Sequence, residues 1–168
     1  MASNFYLYFI SAIIPLLVGF IYYHPKVFGN TWMKSAGLTS ESLSKGNMGI
    51  IFGLTYFFSL VLSIMLPSVI IHQSHLASLF MPEIMDKTSP EYGELTALMT
   101  KLGGKFRTAG HGVTHAAIFS ILIVGPILSI NALFERRGWK YVILHLGYWT
   151  ITFMLMGALL CHYLVFTM

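Results

Sequence analysis

Four stretches of this chain contain no Asp, Glu, Lys or Arg: 4–23, 48–71, 113–134 and 141–166. Each offers about the ~20 residues that a helix needs to cross a hydrocarbon core roughly 30 Å thick. The pattern predicts an all-α, polytopic membrane protein with four transmembrane helices in a single domain over 1–168.

The polar segments between the runs carry their own helical signals. In loop one (24–47), Asn30 is placed to cap a short helix stopped by Gly37, and Thr39 or Ser40 to cap another ending at Gly46. Phe28, Trp32 and Met33 belong at headgroup depth, where amphipathic aromatic rings are comfortable. In loop two, Ser89-Pro90 reads as a helix start and Gly103-Gly104 as its stop. Between them Tyr92, Leu95, Leu98, Met99 and Leu102 recur at helical spacing, which predicts an amphipathic surface helix over 90–102. Within the membrane, Pro15, Pro67 and Pro126 are expected to interrupt their helices. Gly49 with Gly53, and Gly157-Ala158, provide thin faces for close helix contact inside the bundle or between protomers.

Composition agrees with the pattern: 56% of the 168 residues are hydrophobic and 10% are charged, too few charges to clothe a soluble domain of this length. The net charge of +4 does not indicate nucleic acid, because the basic residues flank membrane segments, where they govern topology and contact anionic lipid. Lys26, Lys34 and Lys45 lie in loop one, and Arg136, Arg137 and Lys140 crowd the short third loop. In loop two, Lys87, Lys101, Lys105 and Arg107 are diluted by four acids. The positive-inside rule therefore places loops one and three in the cytoplasm and both termini outside. The first run is followed by Tyr22-Tyr23-His24-Pro25 rather than a small-residue cleavage site, so it is expected to remain as helix one. A single cysteine, Cys161, excludes an internal disulfide framework.

Two stretches carry a resemblance. "YYHPKVFGNTWMKSAGLTSESL" (22–43) and "NALFERRGWKYVILHLGYWTITFMLMGALL" (131–160) resemble a bacterial membrane family known as domain of unknown function 1761. The first is similar to that family's aromatic-x-Pro-x-x-Phe-Gly-x-x-Trp-Met followed by Gly-Leu-Thr. The second is similar to its basic turn and last helix with Gly-Tyr-Trp and Met-Gly-Ala. The resemblance covers nearly the whole chain except the middle of loop two. It implies structural roles for Pro25, Phe28, Gly29 and Trp32, and a bacterial cytoplasmic membrane location. It implies no activity, since the family has no assigned biochemical function.

The candidate chemistry is histidine. His72 and His75 follow helix two, His111 and His115 open helix three, and His162 lies about a turn from the end of helix four. All five belong to one membrane face, a distribution that a metal or haem site would produce. The four-residue spacing of His111 and His115 puts both on one side of a helix, expected to face the bundle with His162 as the partner of His115. However, Gly112 stands where zinc proteases place a general-base Glu. No phosphate loop, nucleophile elbow or mid-membrane carboxylate is present. Asn131 and Tyr148 are the candidates for interhelical hydrogen bonds. The default expectation is a non-catalytic scaffold or accessory subunit, without cofactor, working through lipid and a membrane-protein partner or a second copy. The alternative is a metal- or haem-binding or transfer protein using the five-histidine face.

Overall fold

In the computed structural model, which describes residues 4–165, the chain is all helix and turn. Helix one is split into α1 (Tyr6–Ser11) and α2 (Ile14–Tyr22). The break falls just before Pro15, whose ring excludes a regular helix on its N-terminal side. A π-turn (Pro25–Gly29), α3 (Asn30–Ala36) and α4 (Ser40–Ser44) form loop one. Helix two comprises α5 (Met48–Met65) and α6 (Pro67–Ile70). Loop two contains α7 (His72–Leu79), α8 (Met81–Met85) and α9 (Pro90–Leu102). Helix three is α10 (Ala109–Phe119), a π-turn (Ser120–Val124) and α11 (Gly125–Phe134); the π-turn lies in the turn before Pro126, where the regular helical ladder is interrupted. Helix four is the unbroken α12 (Trp139–Tyr163).

Among the described residues three continuous paths are long and apolar enough to cross a membrane: Met48–Ile70, Ala109–Phe134 and Trp139–Tyr163. A fourth arises if Tyr6–Tyr22 and Pro25–Ala36, which meet at 57°, are counted as one bent span. Helix three thus begins four residues before the charge-free run predicted, because Thr108 accepts a bond from the His111 amide and starts the helix there. Helix four starts two residues early at Trp139 and ends at Tyr163; residue 166 of the predicted run lies outside the described residues.

α12 is the central element. It packs most extensively on α10 and also touches α1, α2, α3, α6 and α11. Its buried residues Phe153, Met156, Leu160 and Cys161 form the main core with Leu66, Ile70, Ile71 and Ala116. The α10–α12 crossing is close because two glycines face each other. A Cβ added at Gly112 would lie 2.1 Å from the Gly157 carbonyl oxygen, and one at Gly157 would lie 2.7 Å from the Gly112 oxygen.

Helix one is tied to α12 at both ends. Asn4 donates to the Tyr163 carbonyl (2.7 Å) and accepts from the Val165 amide (2.8 Å). At the other end, Tyr23 Oη lies 3.1 Å from His145 Nδ1. Between them Tyr148 donates to the Pro15 carbonyl (3.0 Å), an interhelical bond of the kind expected for it. Asn131 is different: its side chain is exposed and makes no bond to another helix. The interhelical hydroxyl pair is instead Ser120–Thr150 at 2.9 Å. These are residues that could equally have bonded back to their own helices.

Loop one uses the expected stop at Gly37 and the expected cap at Thr39, whereas α4 ends at Ser44, short of the Gly46 expected to close it. Gly37 takes the left-handed conformation (φ 66°) that ends α3, and Thr39 caps α4 in a reciprocal box with Ser42. The opening is different, because His24, not Asn30, caps the first turn by accepting from the Lys26 amide. Pro25 begins the π-turn. Gly29 closes it where a Cβ would meet the Tyr23 carbonyl oxygen at 2.3 Å. Phe28 packs on Tyr22 (4.7 Å between centroids) and Trp32 on Tyr23 (5.0 Å). In loop two, α9 occupies the span predicted, with Ser89 as cap and Leu95 buried. His72-Gln73-Ser74-His75 opens α7, one residue after α6 ends at Ile70.

Candidate metal centre

His72 is the first residue of α7, set immediately after Ile71, whose extended backbone (φ −120°, ψ 107°) turns the chain at the end of α6. His111 occupies the first turn of α10, and His115 follows one turn later. α10 packs against α6, so the turn after α6 carries His72 to the side of α10 that bears the other two imidazoles. His72 Nε2 and His111 Nε2 are 3.1 Å apart. Ring centroids are separated by 4.3 Å for His111–His115, 5.0 Å for His72–His111 and 5.1 Å for His72–His115. One ligating nitrogen from each ring lies within 4.8 Å of the other two.

Zinc–imidazole bonds of about 2.0–2.1 Å at tetrahedral angles set ligand nitrogens roughly 3.4 Å apart. One pair is already closer than that and no pair is beyond 4.8 Å, so small ring rotations suffice to close the set on one ion. The donor chemistry fits too. Imidazole suits zinc, copper, iron and nickel, whereas calcium and magnesium require oxygen ligands. Without an ion, one of the facing Nε2 atoms of His72 and His111 donates to the other, a hydrogen bond at an ordinary distance. His72 is exposed, and His111 and His115 are partly buried, so the group is open to water.

The segment before α10 frames this group. Phe106, in the left-handed region at φ 62°, stacks on His111 (5.3 Å, 16° between planes) and presents an edge to His72 (5.8 Å, 74°). Such a backbone costs a bulky residue roughly 1–2 kcal/mol, so the surroundings must hold it. Gln73, buried beside His72, donates to the carbonyls of Leu102 and Lys105 at 2.8 Å each. Arg107 donates through Nε to the Cys161 carbonyl (2.8 Å) and through Nη2 to the Leu164 carbonyl, capping the C-terminal end of α12. Burial presses the Arg107 pKa below its ordinary value, yet a guanidinium so bonded stays charged.

The five-histidine face thus resolves into three residues that meet and two that do not. His75, exposed on α7, and His162, exposed and packed on Tyr163 (4.5 Å), lie outside the group. His115 therefore pairs with His72 and His111 rather than with His162. His162 instead borders a cleft of about 430 Å³ with Gln73, Met99 and Arg107. The supporting roles of Phe106, Gln73 and Arg107 have no local signature, since each depends on contacts across the fold.

The chain matches the family described as "Protein of unknown function (DUF1761)" over residues 7–161. It belongs to that family. The DUF1761 match takes in His72, His111 and His115 together with the loop-one residues Pro25, Phe28, Gly29 and Trp32. That description assigns no activity. Among curated proteins and solved structures nothing matches the chain.

Proposed function

We propose that this DUF1761 protein is a four-span integral membrane protein that binds one first-row transition ion through His72, His111 and His115. The observation that carries the reading is the convergence of three imidazole nitrogens from two separate helices within 4.8 Å. Two of the three are fixed by α10 and the third by a turn held with Gln73, an arrangement stiffer than a chance meeting of surface side chains. The role is binding or handing on of the ion rather than catalysis, consistent with the lack of a general-base carboxylate in the group.

Four spans are supported by the two ties of helix one to α12. Asn4 meets Tyr163, and Tyr23 meets His145, so helix one runs beside about 27 Å of α12 at 1.5 Å per residue. That nearly equals the hydrocarbon thickness. With loops one and three in the cytoplasm of a bacterial membrane, the histidine group faces outward and receives its ion from the external side.

Metal analysis of the detergent-purified protein tests this. We expect about one ion per chain after incubation with zinc and removal of excess. The combined substitutions His72→Ala, His111→Ala and His115→Ala should abolish it. Equal metal content in both proteins would refute the site. Terminal reporter fusions active only in the cytoplasm would overturn the orientation. The scaffold or accessory reading retains one supporting observation, the aromatic cluster of Tyr22, Tyr23, Phe28, Trp32 and Tyr148, which holds loop one against the bundle without any ligand.

A further inference from the structure

We infer that an ion held by His72, His111 and His115 keeps its fourth coordination position for an exchangeable small anion or water entering from the aqueous side. The inference rests on the three-histidine reading above and specifies what that site does with its remaining valence.

Ions of the zinc type take four ligands in a tetrahedral arrangement, and sites with three protein ligands leave the fourth to solvent or substrate. The nearest alternatives within the chain point elsewhere. His75 follows His72 by three residues on the same helix but stays outside the group, as does His162. The Cys161 sulfur is buried and directed at the carbonyls of Ile70 and Phe106, at 3.9 and 3.6 Å. No Asp or Glu joins the group among the described residues.

Access and charge agree. His72 is exposed, and the one aromatic wall, Phe106, stacks on His111 while being 53% exposed itself. Three neutral imidazoles leave the charge of a divalent ion uncompensated, which makes the ion the dominant local charge and favours an anion at the fourth position. The Lys105 ammonium, 5.2 Å from the Phe106 ring centroid, adds to that positive potential. The geometry suits an ion that must be released to another chelator, because an incoming ligand can attach before a histidine lets go.

The test uses the full chain in detergent, loaded with Co²⁺ and titrated with sodium azide while the visible ligand-field bands are recorded. We expect a saturable band shift with one azide per cobalt. His75→Ala and His162→Ala should give azide midpoints within twofold of the parent. Cobalt bands that azide does not move would overturn the inference while leaving the three-histidine site intact, as would loss of the shift in either single variant. Failure of the parent to bind cobalt, or binding that persists in the triple histidine variant, would overturn the site itself and the inference with it.

Discussion

Gly112→Ala adds one methyl group at the place where α10 and α12 come closest. The new carbon would stand 2.1 Å from the Gly157 carbonyl oxygen and 2.6 Å from Cys161 Cβ. Non-bonded heavy atoms settle at about 3.5–4.0 Å, so α10 must retreat by more than 1 Å, and no side-chain rotation can relieve a clash with backbone. The retreat loosens Ala116, which is fully buried against the same helix. Overpacking of this kind costs about 1–3 kcal/mol. The upper end applies here, equivalent to a roughly 100-fold change in the folding equilibrium. The substitution also shifts His111 and His115 relative to His72, so ion binding should weaken together with stability. Gly53→Ala is the matched control, because its added Cβ meets nothing within 4 Å; helix propensity alone should then raise stability by up to about 1 kcal/mol. Reversible unfolding in mixed micelles, followed by tryptophan fluorescence, compares the two. If Gly112→Ala unfolds at the same denaturant fraction as Gly53→Ala, the contact is not as tight as described and the reasoning fails.

Other outcomes follow from single features. Among the described residues Ser11 and Ser63 bury hydroxyls that have no hydrogen-bond partner; Ser63→Ala should therefore be neutral or stabilising by about 1 kcal/mol in the same unfolding assay. Arg136 holds φ 55° at the end of α11, in a turn where Arg137 and Arg136 amides return to the carbonyls of Ala132 and Leu133. Glycine is the usual occupant of that position, so Arg136→Gly should stabilise the turn by up to about 1 kcal/mol, read as a higher unfolding midpoint. Asp86 accepts from the Thr88 hydroxyl (2.6 Å) and amide (3.0 Å), which hold its carboxyl below the ordinary range. A depressed folded value contributes stability above the unfolded pKa and loses it as pH falls through the folded one. Thr88→Val should move the Asp86 titration upward in an NMR pH series. Hydrogen exchange should protect α3, which contacts α12, well beyond α4, whose residues are exposed throughout.

The parts of the fold that rest on local chemistry were readable from the chain. Runs without charge marked the long helices, Ser89-Pro90 opened α9, and Gly37 closed α3, because capping and solvation depend on a few neighbouring residues. The start of α10 was displaced because Thr108 extends the helix backward into a polar segment that hydropathy does not count. The candidate site was legible only as a face. Spacing placed His111 with His115, but which of the remaining histidines joined them depended on the turn at Ile71 and on the packing of α10 against α6. His162 lies at a suitable height, yet the rotation of α12 that buries Cys161 turns it outward, away from the group. The hydroxyl pair Ser120–Thr150 replaced the expected role of Asn131 for the same reason: helix rotation is set by the whole interface and not by any one residue.

The central position of α12 also dictates an order of assembly. Helix one has its Asn4 clasp, its Pro15 carbonyl partner and its Tyr23 contact all on α12, 159, 133 and 122 residues further along the chain. At about 5–20 residues per second, the ribosome leaves helix one without these α12 contacts for roughly 6 to 32 seconds. α5, which contacts α1 in the complete fold, is made earlier and is the neighbour available to helix one during this interval. Completion of the bundle is therefore a late event in biogenesis, and substitutions on the α12 face that receives helix one should reveal themselves first as turnover of newly made chains.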